Sequence, residues 1–265
     1  MTLPANRFKR WLSEPKVPIG SWLMTASPNV AEAMGFAGFD YLVLDMEHVP
    51  VDVPQAIAIM QAVAGTPAAL VVRLPWNDPV MVKRVLDSGA QTLMFPYIQS
   101  AEEARQAVAS TRYPGRGCRG VAAVHRASRY GTVKRYLHDA EREIAVVLQL
   151  ETPEALARLP QIAEIEGVDA LFVGPGDLSA AMGHIGDIRH PDVQHAIGEA
   201  VSACQARSLP CGIVGADPAL VGGYISQGFD FVAIGSDMSL MMSRAQEYLG
   251  ALKGADTATE NSGVY

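Results

Sequence analysis

The chain has 265 residues, 49% of them hydrophobic, so it can bury a substantial core as two small domains or one large α/β barrel. Its formal net charge of −7 argues against general nucleic-acid binding, which needs a broad basic surface. No apolar run approaches the length of a membrane span, and no apolar segment of the kind found in signal peptides follows the charged residues 6–11.

The cysteines are odd in number and lack the paired spacing of metal ligands. This pattern favours free thiols in a reducing, cytoplasmic setting. Cys204 and Cys211 belong to an apolar helix and to the strand after it, so we expect both to be small buried hydrophobic residues.

Apolar segments alternate with helical patterns along the whole chain. The segments predicted as strands are 17–23, 41–44, 69–74, 92–96, 145–150, 170–173, 211–214 and 231–234. The segments predicted as helices are 28–38, 53–63, 79–88, 101–110, 153–165, 193–207, 218–227 and 238–252. The first helix shows the boundary signals, with Ser27 as N-cap, Pro28 in the first turn and Gly38 at the end.

Strands that are apolar on both faces belong in parallel sheets with helical crossovers, and this number of units predicts a single-domain (β/α)8 TIM barrel over residues 1–253. A doubly wound open sheet is the alternative, but no glycine-rich fingerprint follows the first strand. Two stretches interrupt the alternation: an insertion at 111–143, about as long as one helical hairpin, and a loop at 180–191. Small polar residues predict a disordered tail over 254–265.

Two acidic residues, Glu151 and Asp177, follow the fifth and sixth predicted strands. One helix lies between these strands, so they should be parallel neighbours with both carboxylates at the C-terminal edge of the sheet. Two carboxylates held close together repel unless a proton or a cation lies between them. Oxygen-only ligands suit Mg²⁺ or Mn²⁺ better than Zn²⁺. The alternative is that each acid caps the helix that follows it and binds no metal.

Other polar residues also fall at strand ends, where a barrel of this kind places its catalytic groups. Arg73 ends a buried strand and could bind an anionic substrate, or form an internal ion pair with Asp45 or Asp87. His48 lies beyond a strand end near Asp45 and Glu47, and a histidine oriented by a carboxylate is a competent general base. Without such a partner it would be an ordinary loop residue, and Asp87 would be a solvated helix residue.

The run from Arg105 to His138 contains many arginines and lysines and no acidic residue. In an acidic protein this creates a local positive field, which could attract an anionic substrate towards the mouth of the barrel. It could equally be a solvated face or a contact with an acidic neighbouring subunit. Gly235-Ser236 occupies a place where many barrels bind phosphate, but a single such pair is a weak signal.

Several motifs in series resemble the HpcH/HpaI family of class II pyruvate aldolases, from about Ile19 to Leu249. The motifs are Leu44-Asp45-Met46-Glu47-His48, Val72-Arg73-Leu74-Pro75-Trp76-Asn77-Asp78, Gln149-Leu150-Glu151-Thr152, Val173-Gly174-Pro175-Gly176-Asp177-Leu178-Ser179, Arg112-Tyr113-Pro114 and Arg126-Ala127-Ser128-Arg129. Met46 and Gly176 stand where relatives often carry glycine and alanine, which leaves the substrate open.

The resemblance implies a (β/α)8 barrel that assembles as a homo-hexamer of paired trimers, with the C-terminal helix exchanged between subunits. It implies a divalent metal, Mg²⁺ or Mn²⁺ with Co²⁺ as a further candidate, held by Glu151 and Asp177. It implies catalytic roles for His48, paired with Asp87, for Arg73 and for the supporting acid Asp45. The residues implied to bind substrate are Trp22, Arg73, Gln149, Pro175, Gly176 and Val214.

The implied reaction is reversible cleavage of a 4-hydroxy-2-oxo acid to pyruvate and an aldehyde through a metal-bound pyruvate enolate. It needs a base and an electron sink, and no strand ends in a lysine that could form a Schiff base. A metal acting as a Lewis acid provides the same stabilisation. The alternatives within enzymes are a lyase acting on a CoA thioester and an oxaloacetate decarboxylase. A catalytically idle scaffold is disfavoured because the base, the cation ligands and the arginine are all present.

Overall fold

The computed structural model describes residues 2–253, and these form one closed barrel in which all neighbouring strands are parallel. The strands are β1 (Ile19–Leu23), β2 (Tyr41–Asp45), β3 (Ala69–Arg73), β4 (Thr92–Phe95), β5 (Ala145–Leu150), β6 (Ala170–Val173), β7 (Cys211–Gly215) and β8 (Phe231–Ser236). They follow one another around the barrel in sequence order, and β8 pairs with β1. The predicted (β/α)8 barrel is therefore confirmed. The predicted disordered tail, 254–265, lies outside the described residues.

Helices surround this barrel, and those that connect successive strands run antiparallel to the strands. The helices are α1 (Arg7–Trp11), α2 (Pro28–Phe36), α3 (Val53–Ala64), α4 (Pro79–Asp87), α5 (Ala101–Thr111), α6 (Tyr136–Asp139), α7 (Pro153–Ala157), α8 (Leu159–Ala163), α9 (Pro175–Ala181), α10 (Pro191–Gln205), α11 (Pro218–Gln227) and α12 (Asp237–Lys253), with a 3₁₀ helix at Ala140–Glu143. Polar caps fix several helix starts, since Ser27, Asp78, Thr152 and Asp217 each accept a backbone N–H of the first turn and precede a proline. Within the described part of the chain, no helix is both long and apolar enough to cross a bilayer.

Alternation along the strands separates two apolar cores. The inner core fills the barrel and includes Tyr41, Val71, Phe172 and Phe231, whereas the outer core lies between the strands and the helices. Small residues make room for the inner rings. A Cβ atom on Gly212 would lie 2.1 Å from Cε2 of Phe231, so this strand position requires glycine.

Helix α1 closes the N-terminal end of the barrel, and the sequence patterns did not predict it. Phe8 is buried, with its ring edge-on to Tyr41 at 5.1 Å and to Phe231 at 5.2 Å between centroids. Asn6 caps the helix by accepting the Lys9 N–H, and its side-chain amide donates to the carbonyl of Gln91. The segment is short, so the periodicity that identifies a longer helix is absent.

Replacing Phe8 with alanine should therefore destabilise the whole barrel. We expect the free energy of unfolding to fall by about 3–5 kcal/mol, because the substitution removes a buried ring and leaves a cavity. Urea denaturation followed by circular dichroism measures this change. Phe36, which is 63% exposed, provides a matched control. A Phe8→Ala loss no larger than that of Phe36→Ala would contradict the assignment.

Three connecting segments depart from a simple alternation of one strand and one helix. The single helix predicted over 153–165 is two short helices, α7 and α8, because Pro160 lacks the N–H needed to continue the first one. The helix after β6 begins at Pro175 and places Asp177 in its first turn. The insertion at 111–143 consists mostly of turns, with α6 and the 3₁₀ helix as its only helices in the described chain.

Helix α12 is not packed along the barrel as the other long helices are. Of its 17 residues only Asp237 is buried, and that carboxylate accepts the backbone N–H groups of Met24 and Thr25. The large apolar residues that remain exposed on it are Met238, Leu240, Met241, Met242, Tyr248, Leu249 and Leu252. Such an exposed apolar surface usually marks an interface.

Candidate active site

A buried ion pair lies at the C-terminal ends of β2 and β3, where Asp45 is in register with Arg73. The Arg73 guanidinium donates to Asp45 through Nε at 3.0 Å and Nη2 at 2.7 Å, and neither side chain is exposed. The Trp22 ring lies 4.3 Å from Cζ of the same guanidinium. The planar fork of arginine is thus held on two sides, which fixes the direction of its remaining nitrogen, Nη1.

Glu47 joins this pair, although the sequence patterns did not single it out as a site residue. Its Oε2 lies 3.0 Å from Nη1 of Arg73. Burial raises the pKa of Glu47, and the charges of Asp45 and Asp177 add to that effect while Arg73 and His48 oppose it. Its position in the Asp45–His48 run could have indicated a role in the site, because a turn at a strand end can bring alternate residues to the same side.

Glu151 is a second buried carboxylate at this edge of the barrel. It follows β5, is 1% exposed, and accepts hydrogen bonds from the Tyr97 backbone N–H at 2.8 Å and from Nε2 of Gln149 at 2.6 Å. Burial, together with the charges of Asp177 and then Glu47, raises its pKa to about 8. The carboxylates of Glu47, Glu151 and Asp177 are therefore near enough to influence one another electrostatically, and the Arg73 guanidinium opposes their effect on Glu47 and Glu151.

The β6–α9 turn brings the backbone close to this cluster. A Cβ atom on Gly174 would lie 2.5 Å from Oε2 of Glu151 and 2.8 Å from Nε2 of Gln149, so only glycine allows this approach. Pro175 is buried and Gly176 is half-buried beside Asp177, which is exposed in the first turn of α9. Val214 on β7 belongs to the inner core together with Trp22 and forms part of the barrel floor.

The resemblance noted in the sequence implies a divalent metal, and the residues present fit one. The donors of Glu151, Asp177 and Glu47 are carboxylate oxygens, which hard cations prefer. Oε1 of Gln149 is buried and has no hydrogen-bond partner among the described residues. The pKa of the buried Glu151 carboxylate is raised, and two other carboxylates and an unsatisfied amide oxygen contribute to the same site. A bound cation would reduce the repulsion among these groups.

The predicted pairing of His48 with Asp87 is wrong within this chain. His48 follows β2 at the C-terminal edge, and the carboxylate within reach of its Nε2 is that of Glu47, at 4.0 Å. Asp87 ends α4, which runs antiparallel to the strands, so it lies at the opposite end of the barrel. There Asp87 accepts from Nη2 of Arg119 at 2.7 Å and lies 3.8 Å from Nε2 of His125.

The basic insertion lies at this opposite end too, so it cannot focus a substrate onto the mouth of its own barrel. Arg116 pairs with Glu141 and Glu166, and Arg126 donates to the carbonyl of Ser88. These contacts neutralise part of the positive run. Its position agrees with the other two interpretations, a solvated face or a contact with a neighbouring subunit.

One further group of potential metal ligands exists among residues 2–253: His184, His190 and Asp192. The two imidazole rings are stacked, with centroids 3.4 Å apart and planes inclined by 13°. Ring nitrogens bind metals along lone pairs that lie in the ring plane, so nearly parallel stacked rings do not direct theirs to a common point. Nδ1 of His190 already accepts the Asp192 N–H at 3.3 Å as the cap of α10. We therefore assign His190 to capping of α10 and propose no metal site here.

The structure thus brings most of the predicted site residues to one edge. Those that meet there are Trp22, Asp45, His48, Arg73, Gln149, Glu151, Pro175, Gly176, Asp177 and Val214, with Glu47 added and Asp87 excluded. Tyr97 is a further addition, because it contributes a backbone N–H, which no side-chain pattern can reveal.

Comparison with known proteins identifies the family. The family model described as HpcH/HpaI aldolase/citrate lyase matches residues 18–243. A 2-dehydro-3,6-dideoxy-6-sulfogluconate aldolase of Pseudomonas putida is 52% identical over 243 residues, covering 92% of this chain and 95% of the relative. A 5-keto-4-deoxy-D-glucarate aldolase of Salmonella arizonae is 44% identical over 248 residues, covering 94% and 97%.

A solved structure agrees with these sequence relatives. An HpcH/HpaI aldolase/citrate lyase family protein from Burkholderia cenocepacia superimposes with a TM-score of 0.91 at 38% identity, covering 94% of this chain and all of that one. The resemblance seen in the sequence motifs is confirmed, and so is the expectation of a carbon–carbon lyase, since both relatives are named as aldolases. The chain belongs to the HpcH/HpaI aldolase/citrate lyase family.

Proposed function

We propose that this protein is a divalent-metal-dependent aldolase that cleaves a 4-hydroxy-2-oxo acid reversibly to pyruvate and an aldehyde. The observation that carries the proposal is the oxygen-donor cluster of Glu151, Gln149 and Asp177 directly beside the buried Arg73–Asp45 pair. Glu151 and Asp177 would hold the cation, with Mg²⁺ or Mn²⁺ favoured, and Co²⁺ also suited, by the oxygen donors. When bound, the cation supplies Lewis-acid stabilisation of the negative charge that develops on the 2-oxo group.

The protein's own residues account for the remaining chemistry. His48 accepts the proton of the C4 hydroxyl, the C3–C4 bond breaks, and its electron pair passes to the C2 carbonyl to give the enolate. Arg73 is held rigidly by Asp45 and presents Nη1 towards the site, where it stabilises that negative charge. A proton returned to C3 completes pyruvate. Glu47, at 4.0 Å from Nε2 of His48, orients the base in place of Asp87.

The names of the two aldolase relatives support a proposal for the substrate class. One is named for a six-carbon oxo acid with a sulfonate at C6, the other for a keto-deoxy derivative of the six-carbon diacid glucarate. We infer that this chain acts on six-carbon 2-oxo-3-deoxy acids that carry a second anionic group at C6. Cleavage between C3 and C4 would then yield pyruvate and a three-carbon aldehyde bearing a sulfonate or carboxylate.

Pyruvate release by chelator-treated protein tests this function. The arms are the C6-sulfonate acid, the C6-carboxylate acid, oxaloacetate and a citramalyl-type CoA thioester, each with and without added Mg²⁺ or Mn²⁺. We expect metal-restored release from both six-carbon acids, at least about tenfold faster than from the other two. Faster cleavage of the thioester, or decarboxylation of oxaloacetate as the main activity, would contradict the proposal.

The exposed surface of α12 supports assembly into an oligomer. Met238, Met241, Met242, Leu249 and Leu252 recur at helical spacing and form one apolar stripe, yet the helix contacts chiefly β1 and β8 of its own chain. A second copy of the chain is the partner we propose for this stripe, with α12 exchanged between subunits of a hexamer. The extended position of the helix leaves it free to pack on a neighbour.

A charge placed in this stripe should reduce the molar mass of the assembly. We expect Leu249→Asp to convert the oligomer to smaller species, because an unpaired carboxylate would be buried in an apolar contact. Gln246→Asp, on the polar side of the same helix, should retain the wild-type mass. Size-exclusion chromatography with light scattering gives the masses. A monomeric wild-type protein at micromolar concentration would refute the exchange.

A further inference from the structure

Two exposed aromatic side chains lie beside the oxygen-donor cluster, in the loops after β3 and β4. The rings of Trp76 and Tyr97 are stacked, with centroids 5.9 Å apart and planes inclined by 27°. Trp76 is 55% exposed and Tyr97 is 44% exposed, so neither ring belongs to the core. Both loops follow strand C-terminal ends and therefore open onto the same face as Glu151.

The position of Tyr97 relative to Glu151 is set by a direct bond. The Tyr97 backbone N–H donates to Oε1 of Glu151 at 2.8 Å, and the next residue, Ile98, donates its N–H to the carbonyl of Gln149 at 3.1 Å. Tyr97 adopts the left-handed region, with φ of 52°. That conformation costs a non-glycine residue roughly 1–3 kcal/mol and persists only where the surroundings enforce it. Here it turns the N–H towards Glu151 while the ring faces Trp76.

Both loops are held rigidly, so the ring pair is a fixed surface. Gln99 accepts the Thr152 hydroxyl at 2.7 Å, which ties the loop after β4 to the start of α7. The Asn77 side chain donates to the carbonyl of Glu103 at 3.0 Å, which ties the loop after β3 to α5. A rigid aromatic surface loses little conformational entropy when a ligand packs on it.

We propose that Trp76 and Tyr97 bind the aldehyde half of the substrate and thereby determine specificity for long, hydroxylated, anionic chains. This inference rests on the proposed function. In the proposed function, C1 and C2 of the acid would lie at the cation that Glu151 and Asp177 would hold. Only four carbons then remain, so the rest of the substrate would lie close to Glu151, to which Tyr97 is hydrogen-bonded. The ring faces pack against C–H groups, and the indole N–H and phenol O–H donate hydrogen bonds to hydroxyls or the terminal anion.

The test compares two substrates in each variant of the full-length protein. One is the six-carbon acid with a C6 sulfonate or carboxylate, and the other is 4-hydroxy-2-oxopentanoate, which releases acetaldehyde and lacks the distal groups. The measured quantity is the ratio of their kcat/KM values. We expect Trp76→Ala and Tyr97→Ala each to lower this ratio roughly tenfold or more, and Trp76→Phe to restore part of it. Phe36→Ala, an exposed aromatic at the end of α2, should leave the ratio unchanged.

Tyr97→Phe keeps the ring and the backbone bond to Glu151, so it remains informative if Tyr97→Ala does not fold; we expect a smaller fall in the ratio. An unchanged ratio in both Trp76→Ala and Tyr97→Phe would overturn the inference. A fall in the kcat/KM values of both substrates together with a changed molar mass would also overturn it, because the rings would then form a subunit contact. Exchange of the pyruvate C3 hydrogens with solvent, which needs no aldehyde, tests the proposed function separately. Wild-type protein that neither exchanges nor cleaves would overturn both.

Discussion

Glu151→Gln should nearly abolish pyruvate release. The substitution keeps the shape of the side chain but removes the carboxylate that, once deprotonated, would hold the cation together with Asp177. Loss of an outer partner of a metal ligand typically costs 10–100-fold in affinity, so loss of a ligand should weaken divalent-cation binding more than about 100-fold. The catalytic rate should fall at least in proportion.

Isothermal titration with Mn²⁺ and the pyruvate assay measure the two consequences. Glu154→Gln is the matched control, because Glu154 lies three residues away, in the first turn of α7, and is exposed. It should retain both the affinity and the activity of the wild-type protein. A Glu151→Gln protein that binds Mn²⁺ as tightly as wild type would show that the cation site lies elsewhere.

The same carboxyl group makes cation binding pH-dependent. Because burial and the charges of Asp177 and Glu47 raise the pKa of Glu151 from 4.5 to about 8, the metal-free site holds a proton at neutral pH. That proton must leave before the cation binds, so apparent Mn²⁺ affinity should rise by about tenfold per pH unit between pH 6 and 8 and level off above. Titrations at several pH values check this slope. An affinity independent of pH over that interval would contradict the raised pKa.

Arg73→Lys should also cause a large loss of activity, although the charge is conserved. Lysine cannot reproduce the two parallel bonds to Asp45 while presenting a further nitrogen towards Glu47 and the site. Removal of one preorganised donor to a developing oxyanion typically lowers kcat by 10²–10³, and we expect a loss of about that size. KM should change less, because the interaction is stronger in the transition state than in the ground state.

Stability separates this role from a purely structural one. Arg73→Ala leaves the Asp45 carboxylate buried without its partner and should lower the free energy of unfolding by about 3–5 kcal/mol. Arg73→Lys should retain part of that stability and still lose activity. Arg207→Lys, on an exposed position after α10, should change neither quantity. If Arg73→Lys kept wild-type kcat, the arginine would be acting only as a structural partner of Asp45.

The barrel itself was predictable from the sequence, because its signals are local. Apolar strand runs, prolines after polar caps such as Asp78-Pro79, and glycines at helix ends can be read within a few residues of one another. The Glu151 and Asp177 pair was also predictable, since a strand–helix–strand unit must return its second strand parallel to the first. Short elements such as α1 were missed because a few residues do not complete a periodic pattern.

Other features depended on which way a chain segment runs or which side a residue faces, and only the tertiary structure decided them. Asp87 was expected beside His48, but a helix antiparallel to the strands carries its last residue to the far end of the barrel. The strands are apolar along their whole length, so the sequence does not show that Arg73, Asp45 and Gln149 share the inner face.

The backbone contacts of the site belong to this second group as well. Tyr97 donates its main-chain N–H to Glu151, and Gly174 allows the backbone to approach Glu151 because it has no side chain. Neither contribution depends on side-chain chemistry, so the residue types alone do not reveal these contacts. The residue types that do the chemistry were therefore determined by the sequence, whereas their orientation, spacing and charge environment were decided by the closure of the barrel, which brings distant strand ends to one edge.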